Sequence, residues 1–128
     1  LPSGRRGFSF GLAFIRGAKF QVELYIDAGQ GNREFNKQAL LRLTASRAAV
    51  EDELGSPLDW QLLENRRGSR IAWYWDKPVN IMDGQAKLQE LRAWAVPSYI
   101  RFRDILSPYL DNLDVGAERG DVSYGSAI

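Results

Sequence analysis

Seven residues able to do binding or acid–base chemistry recur at alternate positions in three short stretches: Glu23, Tyr25 and Asp27, then Asp59 and Gln61, then Arg70 and Tyr74. A period of two places each set on one face of a strand. Carboxylates grouped with an arginine and tyrosines can hold a ligand or form an acid–base pair. The plainer reading is a solvated sheet face, or one that docks on another domain, with Arg70 pairing Glu23 or Asp27 across strands. A nuclease centre of the Asp…Glu-x-Lys type also needs a lysine beside the attacking water. Glu23 is followed by Leu24 and Tyr25, and Asp76-Lys77 adjoins Pro78, so that lysine is missing. A second candidate is basic: Arg66, Arg67 and Arg70 around a glycine turn, with Arg5 and Arg6 near the start. Guanidinium forks suit phosphate oxygens, and a hairpin tip can reach a groove. Arginines on a turn are more simply read as solvated, and Glu64 stands beside these.

Composition narrows the chemistry further. The 128 residues contain no cysteine and no histidine. This removes disulfides, thiolate catalysis, zinc–sulfur sites and the commonest general base and metal ligand together. No catalytic residue, metal or cofactor is expected. Seventeen basic and sixteen acidic residues leave a net charge of +1, which gives no global attraction to nucleic acid or an anionic membrane. No apolar run nears the roughly 20 residues of a spanning helix, and no leader opens the chain, so a cytoplasmic protein with no membrane partner is expected. The first residue is Leu1 and the only methionine is Met82, so the chain is read as a segment of a longer protein.

The elements that must position these residues follow from periodicity. In Phe20 to Asp27, apolar Phe20, Val22, Leu24 and Ile26 alternate with Gln21, Glu23, Tyr25 and Asp27, the pattern of a strand with one buried face. Phe8 to Ile15 is a first strand with Phe8, Phe10, Leu12 and Phe14 on one face, joined to the second through a short glycine-containing turn. Asn32 is the N-cap of a helix from Arg33 to Leu54, which Gly55, Ser56 and Pro57 end. Lys37 is expected on its outer side. Leu58 to Leu63 and Arg70 to Trp75 are the next strands, linked by the polar loop Glu64 to Ser69. Asp83 caps a second long helix ending near Leu113, with Leu88, Leu91, Ala95, Phe102, Ile105 or Leu106, and Leu110 on its buried face. Pro97 inside it predicts a kink or break, and Trp94 beside it could help dock a neighbour. Residues 114–128 are read as a poorly fixed tail and 1–7 as the end of a linker, leaving one domain over 8–113.

The order predicts an α+β fold: two ββα units, a four-stranded mainly antiparallel sheet and two long helices packed on one face. The stretches Glu23-Leu24-Tyr25-Ile26-Asp27, EDELGSPLDW (Glu51 to Trp60) and Ser69-Arg70-Ile71 carry a resemblance to domain-of-unknown-function family 4268 of bacteria and archaea, over about residues 5–113. The resemblance implies a non-catalytic accessory domain at the C-terminus of longer proteins, some with nuclease-like domains, and a DNA-processing or defence context. It implies no functional motif. The expected partner is another domain of the same longer chain; self-association, and DNA or RNA on the arginines, are the alternatives.

Overall fold

The computed structural model describes residues 5–113; the expected tail, and residues 1–4 of the expected linker, lie outside the described residues. Four strands and three helices follow in the order β1 (Phe8–Ile15), β2 (Lys19–Ile26), α1 (Arg33–Thr44), α2 (Arg47–Leu54), β3 (Asp59–Gln61), β4 (Ser69–Tyr74) and α3 (Gln85–Asp111). The sheet order is β1-β2-β4-β3, and every neighbouring pair is antiparallel. Two hairpins therefore lie side by side, joined where β2 meets β4. The predicted α+β architecture holds.

Alternation decides which face is covered. Phe8, Phe10, Val22, Leu24, Ile26 and Ile71 leave the sheet on one side and meet Ala39, Leu40 and Leu43 of α1, Val50 and Leu54 of α2, and Phe102, Leu106 and Leu110 of α3. Each of the larger side chains contributes about 1.5–3 kcal/mol by leaving water. Phe10 sets its ring edge-on to Phe102 at 5.9 Å, and Trp73 stacks on the same ring at 6.4 Å. A smaller cluster of Phe20, Trp75, Val79, Leu91 and Ala95 continues the core, with Trp94 bordering both.

Several expectations need correction. The helix expected over 33–54 is two helices. Thr44 turns its hydroxyl back onto the Leu40 carbonyl at 2.8 Å, and the Ala45 and Ser46 amides tighten onto the carbonyls of Arg42 and Leu43. The tightened turn at Ala45 and Ser46 ends α1, and a second helix begins at Arg47. Lys37, expected outside, is only 8% exposed. The third strand stops at Gln61 instead of Leu63, because Lys37 draws the carbonyls of Leu62 and Leu63 out of the ladder. The last helix is capped by Gly84; Asp83 instead accepts the Asn80 N–H at 2.8 Å, closing the preceding turn.

Pro97 does not break α3, which runs through it and through Pro108. The bond that Pro97 cannot donate would have gone to the carbonyl of Ala93, and both residues are exposed. The freed carbonyl therefore faces solvent, and the buried stripe of Leu91, Ala95, Ser98 and Phe102 stays intact. Trp94, expected at the surface, is half-buried with its ring 5.3 Å from Trp73 and 6.5 Å from Trp75.

Candidate functional site

Three surfaces carry the candidate residues. On the open side of the sheet the register aligns Tyr25 with Arg70 and Gln61, Glu23 with Ala72 and Asp59, and Gln21 with Tyr74. The register thus brings Glu23, Tyr25, Gln61, Arg70, Asp59 and Tyr74 onto one face. Its members bond to one another: Tyr74 donates to Asp59 Oδ2 at 2.7 Å, Gln61 donates to both at 2.8 and 2.9 Å, and Arg70 donates to Gln61 Oε1 at 3.1 Å. Arg70 also faces Glu23 at 3.5 Å and lies over the Tyr25 ring. This is the cross-strand pairing that alternation predicts. Burial, reinforced by Asp59, pushes the Tyr74 phenol up to about 12, so it stays a proton donor to Asp59. Gln21 on this face is 1% exposed, its amide given to Glu23 at 2.6 Å. Most of the polar atoms of the network bond to one another; Gln21 Oε1 accepts no hydrogen bond, and Arg70 Nε meets Glu23 only as an ion pair at 3.5 Å.

Asp27 does not join that cluster. It sits at the end of β2, where Arg67 grips it with two hydrogen bonds of 2.9 and 2.8 Å and the Gly29 N–H adds a third at 2.9 Å. Arg67 holds the Asp27 carboxyl below its ordinary range, against the opposing effect of burial. The first turns of α1 fasten the same end of the fold. Fully buried Asn36 accepts the Ala28 N–H at 2.9 Å and donates to the Arg67 carbonyl at 3.1 Å. Arg33 bonds the Glu64 carbonyl. Lys37 Nζ donates to the carbonyls of Leu62, Leu63 and Gly68 at 2.6, 2.8 and 2.5 Å. Burial, then the charge of Arg33, pulls the lysine pKa down, while the oxygens around Nζ favour its ammonium form.

The five candidate arginines do not form one basic patch. Arg5 faces Asp111 at 3.9 Å, Arg67 is held by Asp27 and Arg70 lies on the open sheet face with Glu23. Arg6 and Arg66 stand exposed. Among the described residues no group of three acidic side chains could hold a metal ion, and no helix is long and apolar enough to cross a membrane.

The third surface escaped sequence reasoning. Leu12 and Phe14, expected to be covered with the rest of their face of β1, are 47% and 39% exposed. With Ile81, Leu88, Val96 and neighbours they line a groove of about 390 Å³ between the end of β1 and α3. Ile81 and Val96 are 67% and 51% exposed, and Ile100 continues the row one turn beyond Val96. The available signal was the width of the apolar arc on α3: Val96 and Ile100 lie off the stripe through Leu91, Ala95 and Phe102.

The family model described as Domain of unknown function (DUF4268) matches residues 1–110. The chain belongs to this family. No curated protein and no solved structure matches it. The DUF4268 stretch EDELGSPLDW is a structural joint in this fold. Glu51 Oε2 accepts the Leu58 N–H at 2.9 Å and the Trp60 indole N–H at 2.8 Å, and Arg47 lies 3.2 Å away. Gly55 ends α2 in the left-handed conformation (φ 80°) that turns the chain toward Leu58. The Glu51 carboxyl is held below its ordinary 4.5: burial alone would raise it, but these donors outweigh burial.

Asp27 and Glu51 make the fold acid-sensitive in a defined window. Both pKa values are lower in the fold than in the unfolded chain, so their contribution is complete above about pH 4.5 and is lost as pH falls through the lowered values. Urea midpoints are expected to be flat from pH 7 to 5 and to drop steeply below 4. Asp27→Asn together with Glu51→Gln is expected to lower the midpoint at pH 7 and flatten the acid limb; an unchanged acid limb refutes the assignment.

Proposed function

We propose that this domain is a non-catalytic protein-interaction module of a larger protein, in line with the DNA-processing or defence context that its family resemblance implies, and that it docks through the surface between β1 and α3. The observation that carries this is the groove lined by Leu12, Phe14, Ile81 and Val96, an apolar surface contiguous across a strand and a helix. Single exposed apolar residues are ordinary, whereas contiguous patches mark association sites. The open sheet face supports a ligand site less well, because Glu23, Asp59, Gln61, Arg70 and Tyr74 already bond to one another. The nucleic-acid alternative draws less support from the same kind of fact: Arg5, Arg67 and Arg70 each face a carboxylate.

A photo-cross-linking side chain placed at Val96, compared with one at Ala48 on the exposed side of α2, tests the reading in cells that express the natural protein. The expected result is a discrete adduct from position 96 that disappears when Leu12→Glu is added, and none from position 48. No adduct from 96, or equal adducts from both positions, overturns it.

A further inference from the structure

The edge of β1 beside the groove has the geometry of a strand acceptor. Asp27 donates its N–H to the Gly7 carbonyl at 2.8 Å, and Gly7 precedes the aligned pair Phe8 and Ile26. Antiparallel ladders alternate, so Ser9, Gly11 and Ala13 turn their backbone groups to β2, while Leu12 and Phe14 turn theirs away from it. β1 is an outer strand of the sheet, so on that side no described strand meets them. The opposite edge strand, β3, is three residues long and carries Asp59. β1 is eight residues long with no charge and no proline, two of the devices by which proteins usually protect an edge.

We infer that the β1 edge at Leu12 and Phe14 accepts an extended segment of a partner protein, a strand with alternate apolar side chains and acidic flanks. This rests on the association reading and specifies its partner. Main-chain bonds to Leu12 and Phe14 supply the register, and every second side chain of the added strand falls on the groove side, against Val96 and Ile81. Charge complementarity selects the flanks. Among the described residues Arg92 is the one charged residue lining the groove, and Arg16 follows the end of β1. A second copy of the chain fits less well. Antiparallel pairing of two β1 strands about Leu12 places Arg16 of one copy opposite Phe8 of the other, close to Arg6, bringing like charges together.

The test titrates the 15N-labelled chain with a degenerate mixture of peptides about eight residues long, alternating Val, Ile or Phe with Thr and carrying two glutamates at each end. The expected result is downfield movement of the Leu12 and Phe14 amide protons. Roughly tenfold weaker binding is expected when the pairing amides are N-methylated or the flanks are lysine, and Arg92→Glu is expected to reverse the flank preference. Equal binding of the N-methylated peptides overturns strand addition and leaves the association reading standing. A preference for lysine flanks overturns the acidic partner. Failure of millimolar peptide to move either amide overturns the inference as a whole, and the Val96 cross-link then decides the association reading by itself. Movement of the same amides with protein concentration alone assigns the edge to a second copy and overturns the partner proposed.

Discussion

Lys37→Met is expected to destabilise the domain by about 3 kcal/mol, the largest effect of any single polar substitution here. Methionine keeps the aliphatic stem packed but removes the donors that hold the carbonyls of Leu62, Leu63 and Gly68. The buried Gly68 carbonyl then loses its donor, while the Leu62 and Leu63 carbonyls each lose one bond and keep another, from the Ser69 hydroxyl and the Arg66 N–H; a desolvated acceptor without a donor costs more than a hydrogen bond contributes net. For a domain of this size the loss corresponds to a fall of roughly 10 °C in the thermal midpoint. Lys77→Met is the control: Lys77 is exposed, with its ammonium on Glu90, and no shift in midpoint is expected. Similar midpoints for the two variants would contradict the role of Lys37 in fixing the loop between β3 and β4.

Gly68→Ala is expected to cost about 2 kcal/mol through overpacking. A Cβ at this position falls 2.5 Å from Tyr25 Oη, 2.6 Å from Tyr25 Cζ and 3.0 Å from the Ile26 carbonyl oxygen. Tyr25 is half-buried and lies under the Arg70 guanidinium, so its ring cannot swing away without loosening that contact. The double variant Gly68→Ala with Tyr25→Leu separates the causes, since the shorter side chain vacates the clashing position. Recovery of more than half the lost stability in chemical denaturation confirms the ring as the obstacle. An unrecovered double variant assigns the cost to the backbone approach at Ile26.

The strands were readable because the large apolar residues Phe20, Val22, Leu24 and Ile26 alternate strictly with polar ones and all bury on one side. The cross-strand pairing of Arg70 with Glu23 followed from the same alternation. Features that depend on a few polar bonds were hidden. Lys37 falls beside Phe35 and Ala39 in a pattern that assigns lysines to water, and only the carbonyls brought in by a distant loop make its burial tolerable. The break between α1 and α2 is marked by the tightened bonds of the Ala45 and Ser46 amides to Arg42 and Leu43, which intrinsic propensity does not reveal. Pro97 misled in the opposite direction, because its cost depends on whether the freed carbonyl faces water. The groove was hidden for a related reason. Leu12 and Phe14 have the same period as buried Phe8 and Phe10, and whether a helix covers them depends on where α3 crosses β1.

Amide hydrogen exchange across the domain, alone and bound to the partner captured through Val96, tests the central claim most directly. The account predicts slowed exchange at residues 12–14 and along 92–100, with little change at 61, 70 and 74 on the open sheet face or at 64–67 in the arginine turn. Protection confined to the open face or to the arginine turn, with 12–14 exchanging as in the isolated domain, would contradict it.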